Sequence, residues 1–282
     1  MKRVGFDWIA RGLTRHPEIM TLSGGSLCPA DFPAMVGVIR HPDAGVLLFD
    51  TGYDPAFLTA TRPWPERLYR IATPVDFAGG EDWSAWLAAN GVSAADITGV
   101  ILSHFHGDHV AGLHQMPDAP IHCARAGLEN LRQGSRLRRV TQGLLGALAP
   151  PDTESRARFF EDAPAVPLPG AFAPFSEGRD ILGDGSLLAV ELPGHCKGHW
   201  GLAFRDQKDR YVLLAADAVW SGKAIAQCRP PPRITTALLG DTGVYRQTLL
   251  ALHQAQARNA DLAILPSHCA VSAVAYRQDD VA

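Results

Sequence analysis

Four side chains that bind metals fall within six residues at His104-Phe105-His106-Gly107-Asp108-His109. The run Gly99 to Leu102 just before them is apolar and reads as a short buried strand, so the chain leaves a rigid element where the donors begin. On extended backbone, two imidazoles separated by one residue point the same way. Gly107 permits a tight turn, and Asp108 and His109 then aim back from the start of the next segment. One tetrahedral zinc seldom takes this many donors from one stretch, so the spacing suits more than one ion. A chance cluster of loop histidines is the bland alternative and explains this density poorly.

The pattern Ser103-His104-x-His106-x-Asp108-His109 after a short strand resembles the signature of the metallo-β-lactamase superfamily. Pro193-Gly194-His195-Cys196-Lys197-Gly198-His199 is similar to that family's PGHxxGH turn, and Asp50-Thr51-Gly52 to its early Asp motif. The resemblance implies that the remaining ligands lie at later strand ends. His195 follows AVEL, Asp217 follows the apolar run Val212 to Ala216, and His268 follows LAIL. Taken singly, each is more often a loop histidine or a carboxylate capping the next segment; their order and setting favour ligation.

Carried over residue by residue, the resemblance places His104, His106 and His195 on one metal and Asp108, His109 and His268 on a second, with Asp217 bridging. Asp50 is expected to hold a ligand or loop from behind. His199 is expected to be structural and Cys196 a bystander, while His16, His41, His114, His122 and His253 are expected at the surface or in packing. A His/carboxylate set without thiolate suits zinc, with iron or manganese as alternatives. Two such ions about 3.5 to 4 Å apart share a water and lower its pKa towards neutrality. The implied activity is therefore a metal-dependent hydrolase whose bridging hydroxide opens a lactone, ester or thioester, with Asp108 as the catalytic proton carrier.

Within the superfamily, the chain is most similar to the N-acyl-homoserine-lactone lactonases, from about Ala34 to His268. Asp217 sets it apart from true β-lactamases. Only 14 residues follow His268, so the helical substrate domain of glyoxalase II-like thioesterases is not expected. One departure weakens the lactone assignment: those lactonases place a tyrosine three residues after the bridging Asp, and here Trp220 stands there. Tyr53 or Tyr245 could substitute. The competing expectations are an iron-dependent persulfide dioxygenase-like oxidoreductase, a phosphodiesterase, and a non-catalytic ligand-binding sensor with the same fold.

The elements that must position these residues read as two β-rich halves. Pro33 to Arg40 and Val46 to Asp50, joined by a turn-rich segment, suggest a hairpin. Pro55 to Phe77 reads as an irregular or partly helical excursion that could wall or cover a pocket, with packing or a dimer contact as the alternative. Glu81 to Asn90 reads as a helix, Ser93 as the cap of a short turn, and Ile121 to Cys123 as a strand. Ala124 to about Leu148 reads as helical, broken at Gly134, and is a second candidate for shaping the pocket. Leu187 to Leu192, Gly201 to Arg205, Tyr211 to Ala216 and Leu262 to Leu265 read as strands, and Thr242 to Ala257 as a helix. The resulting fold class is α/β: an αββα sandwich of two mixed sheets flanked by helices, as one domain over residues 1–282.

Composition sets the remaining bounds. The chain has 282 residues, 46% of them hydrophobic and 20% charged, as in an ordinary globular protein. A net charge of −3 provides no global basic field for nucleic acid. Arginines gather between Arg125 and Arg158, including Arg132, Arg136, Arg138, Arg139 and Arg156; a solvated helical face is the plainer reading, an acidic docking patch the sharper one. Five scattered cysteines without a CxxC pair argue against a disulfide framework, and no signal peptide or membrane span is apparent. The expected setting is cytoplasmic and the expected partner a small-molecule substrate, with no nucleic acid and no membrane; a homodimer is left open.

Overall fold

In a computed structural model that describes residues 1–80 and 82–278, the chain opens with a strand that the sequence did not announce, β1 (Arg3–Pro17). It pairs antiparallel with β2 (Pro29–His41), and a one-residue bulge between Ala10 and Leu13 interrupts the ladder. β2 extends the expected run at both ends and forms the expected hairpin with β3 (Gly45–Phe49). The short β4 (Val75–Asp76) adds to the other edge of β1. Parallel strands β5 (Ile97–Ile101), β6 (Ile121–Cys123) and β7 (Ala157–Phe159) complete the first sheet.

The second sheet runs through β8 (Ala165–Pro167), β9 (Glu177–Asp180), β10 (Leu188–Glu191), β11 (Trp200–Asp206), β12 (Tyr211–Ala216) and β13 (Ala263–Pro266). All neighbours are antiparallel except β12 and β13, which are parallel. The sheets are joined where Arg3 and Val4 of β1 pair in parallel with Arg205 and Asp206 of β11.

Three apolar layers hold this frame. Trp8, Met35, Phe49, Leu202, Phe204 and Leu214 pack between the sheets. Val38, Leu48 and Val100 face Phe57, Trp83 and Leu128 on the outside of the first sheet. Val190 and Leu213 face Ile225, Leu249 and Leu252 on the outside of the second. The order is therefore helix, sheet, sheet, helix, as expected. Burying one such side chain contributes about 1.5–3 kcal/mol, more than any exposed ion pair of this chain.

The helices follow their local signals. Asp82 caps Trp83–Ala89 by accepting from Ala85 N at 3.0 Å; Glu81, the expected start, lies outside the described residues. Ser93 and Asp96 cap the next turn reciprocally. The excursion after β6 divides at Gly134 into Arg125–Arg132 and Arg136–Thr141. Pro55 to Phe77 contains two short helices, Ala56–Ala60 and Arg67–Ala72. The basic cluster is largely paired: Arg125 with Asp162, Arg132 with Glu154, and Arg136 with Glu66 at 2.6 to 2.9 Å. Arg156 donates to the carbonyls of Met116 and Ala119. Among the described residues, no helix is long and apolar enough to cross a membrane.

Candidate metal centre

Parallel pairing of β3 with β5 and of β12 with β13 brings four strand ends to one edge of the sandwich. Asp50 leaves β3, the His104–His109 segment leaves β5, Asp217 leaves β12 and His268 leaves β13. The turn after β10 adds His195. Ligand sites in α/β proteins commonly form outside such strand ends. Two of these departures are strained: Asp50 has φ 60 and Ala216, just before Asp217, has φ 45. Non-glycine residues hold this left-handed region only where surrounding contacts require it. Gly194 has φ 121, and a Cβ there would collide with the backbone of Tyr245. Glycine is thus what lets the turn bearing His195 lie against the helix Thr242–Arg258.

The seven expected ligand residues converge, all of them buried. His195 Nε2 lies 3.1 Å from His106 Nδ1 and 3.4 Å from Asp217 Oδ2, with His104 Nε2 4.0 Å from the same oxygen. On the other side, Asp217 Oδ1 is 3.2 Å from His268 Nε2 and 3.5 Å from His109 Nε2. Asp108 Oδ2 is 3.3 Å from His268 Nε2 and 3.6 Å from His109 Nε2. The donors thus fall into two clusters, and Asp217 offers a different oxygen to each.

The surrounding hydrogen bonds determine which ring nitrogen is free. Asp50 accepts from Ser103 N and Ser103 Oγ, both at 2.8 Å, and lies 2.8 Å from His109 Nδ1. With its proton given to Asp50, Ser103 Oγ accepts from His104 Nδ1 at 2.9 Å. His268 Nδ1 donates to the Pro33 carbonyl at 2.7 Å. In His104, His109 and His268, Nε2 is therefore the ring nitrogen left to face the cluster. Thr51 holds the loop itself: its Oγ1 donates to the His109 carbonyl and accepts from Gly112 N.

These donors suit a cation. His104 Nε2, His109 Nε2 and Asp217 Oδ1 are buried without a hydrogen-bond partner, a state that is costly unless something satisfies them. Burial holds the pKa of His104 and His195 well below the ordinary value and that of His106 at about 4, so these rings stay neutral. Burial opposes charge on His268 as well, but Asp217 and Asp108 override it and push its pKa up to about 10. His109 is raised in the same way, by Asp108, Asp50 and Asp217 against burial. Both carboxylates are held low despite burial, Asp108 by His109 and His268 and Asp217 by His268 and His109. Protons on His109 and His268 thus balance the carboxylates, and divalent cations could replace them.

Other residues sort by their contacts. His199 has both nitrogens engaged, Nδ1 with the Leu192 carbonyl at 2.9 Å and Nε2 with the backbone N–H of Asp217 at 3.1 Å; it aligns Asp217 and has no lone pair to offer. Cys196 comes close to His104, His106 and His195, but burial pushes its thiol pKa well up, which keeps it protonated. His41 is buried among Ser186 and the backbone of Asp43 and Ala44. His114 and His253 each meet a backbone carbonyl, of Ala111 and Ile225, and His122 is half-buried on β6. His16 departs from the expectation of surface or packing alone: it stacks on Phe32 at 3.9 Å and lines the cavity over the metal-type cluster.

That cavity measures about 150 Å³ and is lined by Phe32, Tyr53, Tyr69, Trp220 and Leu239 among others, with no Lys or Arg among the described residues. Gly143 also lines it, so the excursion after β6 does shape the site. Trp220 Nε1 donates to Asp217 Oδ2 at 3.1 Å. Of the two tyrosines considered from sequence, Tyr53 lines the cavity, whereas Tyr245 is buried behind Trp220 and does not. Tyr69 was read only as part of an apolar wall; its hydroxyl lies 3.5 Å from Asp108 Oδ1. No spacing rule could have found it, because it arrives from a separate helix.

Asp50 supplies a first test. Asp50→Asn is expected to weaken metal affinity about 10- to 100-fold, as losses behind a ligand do. Competition with a chromogenic chelator measures it, and unchanged affinity would show that the contact with His109 is dispensable.

The chain matches the Metallo-beta-lactamase superfamily over residues 30–268. It is 32% identical to the human acyl-coenzyme A thioesterase MBLAC2 over 194 residues, covering 68% of this chain and 60% of that protein. It is 28% identical to the N-acyl homoserine lactonase AiiB of Agrobacterium fabrum over 243 residues, covering 84% and 80%. It spans only 56% to 60% of the length of several curated relatives it matches. Among solved structures, a mutant AiiA of B. thuringiensis with N-decanoyl-L-homoserine bound superposes with a TM-score of 0.68 at 15% identity, covering 100% of this chain and 97% of that one.

Proposed function

The chain belongs to the metallo-beta-lactamase superfamily, and from that premise we propose that it is a two-metal hydrolase of carboxylic ester bonds, a lactone or ester first and a thioester second. The observation that carries this reading is Asp217, which presents Oδ2 towards His195 and His104 and Oδ1 towards His268 and His109. His104, His106 and His195 would hold one ion, Asp108, His109 and His268 the other, and Asp217 both. Zinc suits this donor set, as do iron and manganese. When bound, such a pair activates water near neutral pH and polarises a carbonyl.

The protein's own groups supply the rest. Asp108 turns Oδ2 towards His268 and His109 and keeps Oδ1 towards Tyr69 and the cavity, which leaves one oxygen to carry a proton between water and leaving group. The small cavity takes only the reacting end of a substrate. Its lining is without Lys or Arg among the described residues, which favours a neutral acyl group over a phosphodiester.

The test is metal analysis followed by a panel of lactones, alkyl and aryl esters, acyl thioesters and a phosphodiester. About two metals per chain and turnover of the carboxylic substrates are expected. Metal-free protein from zinc- and iron-supplemented growth, or turnover of the phosphodiester alone, would overturn the proposal.

A further inference from the structure

The position at which the resemblance to lactonases implies a phenol carries an indole instead, Trp220, and that indole is committed. Trp220 gives its only N–H to Asp217 Oδ2 at 3.1 Å and has no second donor for a substrate. Its ring lies edge-on to His195, 5.4 Å between centroids, on the side of the cavity away from Asp108.

A phenol is present on the opposite side. Tyr69 stands in the helix Arg67–Ala72, is partly buried and lines the same cavity. Its ring packs edge-on against Phe57 with centroids 5.4 Å apart and lies across Gly107, where an added Cβ would come within 3.2 Å of it. The hydroxyl carries the one proton that this side chain can donate. Its nearest acceptor is Asp108 Oδ1 at 3.5 Å, too long for a strong bond. Tyr53 is the other phenol of the lining, but it is Tyr69 whose hydroxyl reaches towards Asp108. Tyr69 is thus a positioned donor with little to donate to, next to the carboxylate that would move the proton.

We propose that Tyr69 is a catalytic residue that hydrogen-bonds the leaving-group oxygen of an ester or lactone. The assignment rests on the hydrolase reading above. In the step concerned, a water oxygen bonds to the acyl carbon and the bond from that carbon to the leaving oxygen breaks, its electron pair going to that oxygen. A proton from the water reaches it through Asp108, giving the acid and the alcohol. Tyr69 donates a hydrogen bond while charge develops on that oxygen and is unchanged at the end. The donor has moved from the Trp220 side to the Asp108 side, from the carbonyl to the leaving group.

Leaving-group dependence tests this. Tyr69→Phe keeps the ring against Phe57 and removes only the hydroxyl. Its kcat should fall about 100-fold on lactones and alkyl esters, whose leaving oxygens need help, with KM little changed. On p-nitrophenyl esters, whose leaving group departs readily, the fall should be under about threefold. Bound metal per chain should equal that of the wild type. Equal losses on alkyl and nitrophenyl esters, no loss on either, or a drop in bound metal would each overturn the assignment while leaving the hydrolase reading intact. A wild type that hydrolyses none of these substrates overturns both.

Discussion

Asp217→Ala is expected to lose bound metal and to lower kcat on any hydrolysed substrate about 1000-fold or more. The expectation follows from charge and position. Asp217 is the one carboxylate whose two oxygens face both histidine clusters, at 3.4 and 4.0 Å on one side and 3.2 and 3.5 Å on the other. Its removal would leave Asp108 as the one carboxylate of the seven candidate ligands. Several kcal/mol of transition-state stabilisation come from such a pair, and each 1.36 kcal/mol is about tenfold in rate. Elemental analysis and steady-state assay read the two effects separately. Metal addition should raise the Tm of the wild type, because a ligand that binds only the folded chain stabilises it. The variant should show little such rise. A variant that keeps two metals and wild-type turnover would remove Asp217 from the centre.

The second large effect lies away from the candidate metal centre. Arg11 and Asp54 form a buried pair at 2.7 Å, with side chains 8% and 4% exposed. The bulge in β1 places Arg11 there, and Gln115 closes the network by accepting from Arg11 at 2.9 Å and donating to Asp54 at 2.7 Å. Arg11 also reaches the Thr51 carbonyl, the residue that clamps His109. Burial has already lowered the pKa of Arg11 to about 10 against the pull of Asp54, so the cation depends on its partner. Asp54→Ala should therefore destabilise the fold by about 3–5 kcal/mol, because it strands a buried charge. Arg11→Met with Asp54→Leu should recover much of that loss. Chemical denaturation of the wild type and the two variants decides it. A single-variant loss under about 1 kcal/mol would mean that water reaches and screens the pair.

The centre was readable because its residues announce themselves locally. Histidines and aspartates at the ends of apolar runs carry both their chemistry and their setting in the sequence, and the parallel pairing of β3 with β5 and β12 with β13 then brings those ends together. β1 was not readable. It is covered on much of both faces and bulged, so its apolar residues do not alternate, and Arg11 and His16 inside it look like surface residues. The short strands β7, β8 and β9 have three or four residues each and are less buried than the equally short β6, β10 and β13, so no buried apolar run marks them.

The sequence by itself therefore determined the candidate donor set His104, His106, Asp108, His109, His195, Asp217 and His268, the αββα architecture, and the departure at Trp220. These rest on residue identity and short-range pattern. Only the tertiary structure decided what surrounds the donors: the Pro33 carbonyl behind His268, the Asp217 contact that occupies Trp220, and the arrival of Tyr69 beside Asp108. Those contacts span 235, 3 and 39 residues of chain. The long ones depend on how separate elements dock, and the short one on a strained backbone at Ala216, so no local spacing in the chain encodes them.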